Sequence, residues 1–370
     1  MAEQLPQPPG GPLGALLAEG VSPWLEGLSR SRLSSGLLTR LVTQAGLRGA
    51  TSHPRALAAD MAADPDCRQQ LSHMARRSVP PERAVTAVCA YDLRSACDEL
   101  TEVFAAGRGL DGLVSMDLNP ALARDARATV AAAEQLHRAA CRDNALVKIP
   151  ATEEGLTAVA ECLGRGIGVH ITEVYSVHRY GQVLDACFDG LERALAAGLA
   201  LSSVAAVTSL PVGLVEAEAD ARLTALGTER ALALRGTAAP ALARLAYRLY
   251  EQRLGGDRWR RLSAAGARPP RPMWHIHPPA AARQLAGLVA WGTAAAIPAE
   301  ELVAGPARYR LHGDTLTGTH RQARQALDRL QHLGCCTEAA AGRLQRRSLA
   351  RLAADWRGLL ATAAGQLAPA

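Results

Sequence analysis

The stretch ALVKIPAT, residues 145–152, sets a short apolar run against a polar turn and places Lys148 inside the run. Lysine and arginine together number 41, and Lys148 is the only lysine among them, leaving 40 arginines. In a chain rich in Ala, Arg, Leu and Gly, the ordinary surface lysines have been replaced by arginine. The remaining amine stands where a solubilising charge has no place. Burial there would push an ammonium towards its neutral, nucleophilic form, which a guanidinium cannot adopt. The functional reading of Lys148 is a Schiff-base nucleophile. The structural reading is an internal ion pair or chance retention.

The apolar part of that stretch, ALVKI (145–149), is one of eight similar runs separated by longer Ala/Leu/Arg helical stretches. The others are VSPWLE (21–26), RGATS (48–52), GLVSMDL (112–118), GVHIT (168–172), SSVAAVT (202–208), PMWHI (272–276) and GTAAAI (292–297). Short strands alternating with helices are the pattern of βαβ units, and eight of them predict a (β/α)₈ barrel. Helical patterns between 54 and 106 and between 318 and 368 exceed one per strand and predict extra helices. Residues 1–18, which include MAEQLPQPPGGPLG, read as a Pro/Gly-rich disordered tail. Residues 19–370 read as one barrel domain with no internal linker.

Composition narrows the function classes. At 48% hydrophobic the chain has ample core for a large soluble domain. No run reaches about 18 apolar residues and no signal sequence opens the chain, so a cytoplasmic location and no membrane partner are expected. The formal charge of +6 is spread among nearly as many carboxylates. Clusters such as RWRRL lie on amphipathic helical patterns and read as solvated faces, so no nucleic-acid partner is expected. Eight cysteines without CxxC spacing fit reduced thiols.

In barrels of this kind the chemistry gathers at the C-terminal ends of the strands. Those ends carry Glu26, His53, Asp117, Lys148, His170 with Thr172, Ser209, and His275 with His277. Each histidine-containing pair is two residues apart and so faces one way, into the barrel mouth. Polar groups from seven strand ends converging on one lysine predict a site.

Six segments, WLEGLSR, GATSHPRAL, VSMDLNPALA, NALVKIPATEEGL, GVHITEVYSVHRY and LALRGTAAPALARLAY, resemble in order and spacing the transaldolases of the longer bacterial type. The resemblance runs from about residue 20 to 368 and is most specific at VKIPAT. It implies a (β/α)₈ barrel, a Schiff base at Lys148 and no cofactor. By the same resemblance, Glu26 stands for the family's aspartate that acts as base in carbon–carbon cleavage. Asp117 stands for the glutamate that works through a water, Thr172 for the threonine that holds that water, and Ser209 for a substrate-contacting serine. At Glu26 and Asp117 the carboxylate differs by one methylene, enough to move its oxygen by more than an ångström.

The other departures are larger. His53 and His170 stand where the family has asparagines, Leu214 where it has a phosphate-binding arginine, and WHIHPPA where it has a Ser/Lys or Ser/Arg phosphate loop. The expectation is an aldol-type enzyme whose substrate is a small carbonyl compound other than a sugar phosphate, such as an unphosphorylated sugar or a specialised-metabolite intermediate. Lys148, Glu26, Asp117 and Thr172 are the expected catalytic residues. His53, His170, Ser209, His275 and His277 are the expected substrate-binding residues. Two alternatives stand beside this reading. In one, His53, His170, His275 and His277 bind a divalent metal. In the other, the barrel is a non-catalytic binding protein. A monomer or homodimer is expected.

Overall fold

Eight strands, β1 (Val21–Leu28), β2 (Gly49–Ser52), β3 (Leu113–Asp117), β4 (Ala145–Pro150), β5 (Val169–Thr172), β6 (Ala206–Leu210), β7 (Arg271–His275) and β8 (Thr293–Pro298), run parallel and close into a barrel in sequence order. This is the (β/α)₈ architecture expected from the alternation of apolar runs. The computed structural model describes residues 12–277, 280–304 and 311–368.

All eight expected strands form, with one displaced. The segment expected over 202–208 starts as a 3₁₀ turn, Leu201–Ser203, and the strand begins at Ala206. Serines favour local turns over a ladder, so the strand starts only where the alternating residues begin. Ser209 consequently lies inside β6 rather than beyond it. A second expectation is corrected at the N-terminus. Pro12–Ala18 is a helix with Leu13 and Leu16 fully buried, so the tail does not extend to residue 18. Residues 1–11 lie outside the described residues.

Strand alternation produces two separate apolar regions. Outward residues such as Leu25, Val114, Ile149, Ile171 and Ile297 join the surrounding helices in the main core. Inward residues Trp24, Leu113, Leu146, Val207, Met273, Ala294 and Ala296 form a second cluster that plugs the barrel. A fully buried side chain of this size contributes about 1.5–3 kcal/mol. The plug depends on a glycine. Trp24 pairs in register with Gly49, and a Cβ on Gly49 would collide with the indole ring.

The expected extra helices are present. Pro54–Ala63, Pro65–Ala75 and Pro81–Glu99 follow β2, and the C-terminal helix Glu338–Leu367 packs across all three. That last helix also reaches the barrel mouth, where Gln345 Nε2 donates to Ala151 O (3.0 Å) and Glu173 O (3.1 Å). Among the described residues no helix is long and apolar enough to cross a membrane.

Candidate active site

Directly above the apolar plug lies a layer of buried hydroxyls around one imidazole. Ser115 Oγ donates to Thr51 Oγ1 (2.8 Å) and lies 2.7 Å from His170 Nδ1, while Ser209 Oγ lies 2.6 Å from His170 Nε2. With the Ser115 proton directed at Thr51, the ring presents Nδ1–H to Ser115 Oγ and Nε2 to Ser209 Oγ, a hydroxyl that also has Met273 Sδ at 3.4 Å. Burial holds the His170 pKa well below the ordinary histidine value, so the ring is neutral. The interior of a barrel tolerates such polar groups only when they are paired, and these are paired with one another.

Lys148 rises from this layer. In register it stands between Asp117 on β3 and His170 on β5. Its Nζ donates to Ser52 O and lies 3.3 Å from Asp117 Oδ2, with the amine and the carboxylate side chains 11% and 12% exposed. Asp117 is fixed in turn by Ser52 Oγ, which donates to Oδ2 at 2.7 Å. The ion pair offered as the structural reading of Lys148 therefore exists. It differs from a purely structural pair in lining an open cleft.

Opposite the lysine, His275 Nε2 lies 2.8 Å from Glu26 Oε1. Burial by itself would raise the Glu26 carboxyl. The charge and hydrogen bond of His275, helped by His53 and Lys148, override it and hold Glu26 at about 2. Burial likewise opposes charge on His275, and Glu26 again prevails, so the imidazole is raised above the ordinary value. His277, two residues on, is exposed at the rim. Its backbone N–H donates to Gln284 Oε1 (3.0 Å), and the approach is open because position 213 is glycine. A Cβ there would lie 2.7 Å from His277 Cβ.

The cleft bounded by these residues has about 750 Å³ of space including its open mouth, which suits a small-molecule substrate. All nine expected site residues line it: Glu26, His53, Asp117, Lys148, His170, Thr172, Ser209, His275 and His277. They do not occupy equivalent places. His170 and Ser209 form the floor, with their polar atoms committed to each other. His53 sits at the N-cap of the helix Pro54–Ala63, where Nδ1 accepts from Arg55 N–H (3.2 Å).

The four-histidine metal alternative is not assembled. Both His170 nitrogens and one nitrogen each of His53 and His275 have protein partners. Among the described residues no three His, Cys, Asp or Glu side chains are grouped as ligands.

Several residues in or beneath the cleft escaped the sequence reading. Thr51 precedes His53 by two positions, so strand alternation could have found it, and Ser115 precedes Asp117 in the same way. Glu173 and Tyr175 follow Thr172 in the same segment, with Tyr175 Oη donating to Glu173 Oε2 at 2.9 Å. Ser348, Arg351 and Leu352 come from the C-terminal helix, and nothing local in the sequence ties them to the strands. Leu214, which by the resemblance stands where the family has a phosphate-binding arginine, lines the cleft. Arg268 and Arg271 do not line the cleft. Arg271 opens β7 at the far end of the barrel and pairs with Asp111, and Arg268 lies over the Phe104 ring.

Comparison with known proteins agrees with this geometry. The family model described as Transaldolase/Fructose-6-phosphate aldolase matches residues 23–363. Transaldolase 1 of Streptomyces coelicolor is 41% identical over 356 residues, covering 95% of this chain and 93% of that protein. The transaldolase of Acidothermus cellulolyticus is 41% identical over 355 residues, 95% of each chain. That of Thermobifida fusca is 40% identical over 364 residues, 97% of this chain and 99% of the other. With a closed eight-stranded barrel, a lysine on the fourth strand and matches spanning nearly the whole chain, this protein belongs to the transaldolase/fructose-6-phosphate aldolase family.

Proposed function

We propose that this enzyme makes or breaks a carbon–carbon bond through an imine on Lys148, and that its carbonyl substrate carries no phosphate. The observation that carries the imine is Lys148 itself, the sole lysine of the chain, seated in the cleft 3.3 Å from a fixed carboxylate. Nζ adds to the substrate carbonyl to give a carbinolamine. For this addition Asp117 takes a proton from the Lys148 ammonium; it then passes that proton to the departing hydroxyl, water leaves, and the protonated imine forms. The protonated imine draws electrons from the adjacent carbon–carbon bond. When the neighbouring hydroxyl gives up its proton, that bond breaks, an aldehyde departs and an enamine stays on Lys148. Addition of the enamine to a second aldehyde, followed by hydrolysis of the new imine, completes a transfer. Protonation and hydrolysis of the enamine complete an aldol cleavage.

Glu26 at about 2 is a weak base on its own. The pair works better as a unit, with Glu26 accepting from His275 Nε2–H, orienting the ring and leaving Nδ1 to take the substrate proton. Thr172, on the cleft wall, holds the water that enters and leaves.

The lack of phosphate rests on the cleft's cations. Lys148 is committed to the chemistry, Leu214 is apolar, and among the described lining residues the one guanidinium is Arg351 at the exposed rim. Phosphate recognition ordinarily uses several charge-assisted contacts, each contributing about 1.5–3 kcal/mol. Steady-state assays with fructose 6-phosphate and erythrose 4-phosphate, set beside their unphosphorylated counterparts, test this. Higher kcat/KM for the unphosphorylated pair is expected. Brisk turnover of the phosphorylated pair alone would return the enzyme to ordinary sugar-phosphate metabolism.

A further inference from the structure

Among the described residues lining the cleft, Glu173 is the one carboxyl group that neither the imine nor the proton transfers above require, and its placement is unusual in three respects. It follows directly on the last residue of β5 and has a left-handed backbone, φ 64°, a conformation in which non-glycine residues are uncommon and strained. It is a carboxylate only 8% exposed, yet it lines the cleft. It is also held from two sides. Tyr175 Oη donates to its Oε2 at 2.9 Å, and the backbone carbonyl of Glu173 accepts from Gln345 on the C-terminal helix at 3.1 Å. Three residues further along that helix, Ser348 lines the same cleft.

A buried carboxyl on a strained turn, braced by a tyrosine and a distant helix, is costly for stability alone. An apolar side chain would fill the space without the desolvation. We propose that Glu173 is a specificity-determining residue that receives a hydroxyl group of the substrate on the mouth side of the reacting carbons. This inference rests on the imine reading of the same cleft and goes beyond it by assigning a residue that recognises a hydroxylated substrate.

The surroundings favour a hydroxyl over an ammonium. Arg351 and His275 line the same cleft and already favour the charged form of Glu173, so a further cation would meet like charge. Burial raises the Glu173 carboxyl above its ordinary value, against the hydrogen bond of Tyr175. A carboxyl so raised can both accept from and donate to a hydroxyl, whereas an ammonium offers only donors. Tyr175, which already donates to Oε2, fixes the direction in which the rest of the carboxyl is presented.

The test compares two aldehyde acceptors, glyceraldehyde and its dideoxy analogue propanal, with dihydroxyacetone as donor, in the wild type and in Glu173→Leu, Glu173→Gln and Tyr175→Phe. Borohydride trapping of dihydroxyacetone on Lys148 is measured in every variant. The wild type is expected to favour glyceraldehyde in kcat/KM by at least about tenfold. Glu173→Leu is expected to lose most of that preference while propanal turnover and trapping stay within about threefold. Glu173→Gln, which keeps a polar group in place, is expected to retain a preference intermediate between the two, and Tyr175→Phe to weaken it. An unchanged preference in Glu173→Leu with trapping intact would overturn the proposal and leave the imine reading standing. Equal loss of both acceptors in a folded Glu173→Leu protein would also overturn it, because a specificity residue must act on the difference. Failure of the wild type to trap any carbonyl compound would instead strike the imine reading on which it rests.

Discussion

The two ends of the barrel carry the same kinds of polar residue and use them in opposite ways. At the N-terminal end, Asp111 accepts from Ser22 Oγ (2.6 Å) and Arg271 Nη1 (2.5 Å), drawing the starts of β1 and β7 to the segment that enters β3. One carboxylate there meets one guanidinium and one hydroxyl, and charge and hydrogen bonding balance. At the C-terminal end, an amine, four imidazoles and three carboxyl groups share one cleft, and several of these groups are displaced in protonation in different directions. Glu26 is held down and His275 up, while Glu173 is raised by burial and His53 lowered by it. Matched pairs close a barrel. Groups pushed apart in proton affinity are suited to moving protons.

Substitutions at the two ends should separate these roles. The largest effect is expected from Lys148→Arg, which keeps the charge beside Asp117 and removes the nucleophile. Turnover should fall by at least about 10³-fold while thermal stability stays near that of the wild type, because catalysis through an imine has no substitute route in the cleft. Activity within tenfold of wild type would mean that the lysine serves only its ion pair.

Next in size is His275→Gln, for which kcat should fall by about 10²–10⁴-fold if the imidazole takes the substrate proton. The pH profile sharpens this. Cleavage requires neutral His275, so its rate should rise with pH through a value above the ordinary imidazole value of about 6.5. Glu26→Gln should move that rise to lower pH, because burial is then unopposed by the carboxylate. Stability should run the other way. The raised His275 contributes stability that is fully present below about 6.5 and lost as pH rises through its folded value. A rate profile unmoved by Glu26→Gln would separate the pair.

The smallest effect on chemistry, and a clear one on stability, is expected at the opposite end. Asp111→Asn leaves Arg271 without its carboxylate and should cost about 1–3 kcal/mol in denaturant unfolding, with kcat/KM within about threefold of wild type. A large loss of activity without loss of stability would show that the two ends are coupled.

Much of this division was legible in the sequence, because it follows from local periodicity. Apolar runs of strand length gave all eight strands, and the residue at each run's end gave Glu26, Asp117, Lys148 and His275 at the mouth. The displaced start of β6 shows where periodicity weakens, in a Ser/Ala stretch that can turn as easily as extend. What a strand end could not reveal was depth. His170 and His275 read as equivalent imidazoles, yet one is sealed among Thr51, Ser115 and Ser209 and the other pairs with Glu26 in the cleft. Contacts between distant segments were equally hidden. Ser348 and Arg351 lie about midway along a long helix whose local pattern reads as amphipathic, and only its path across the mouth brings them to Glu173.

The most direct test of the central claim uses the single lysine. The protein is incubated with a carbonyl substrate, reduced with borohydride, digested and mapped by mass. One adduct carrying the substrate's mass is expected on the peptide that contains Lys148, absent from Lys148→Arg and absent when borohydride is omitted. Turnover of the substrate with no adduct on that peptide would contradict the imine and return Lys148 to the role of a buried partner for Asp117.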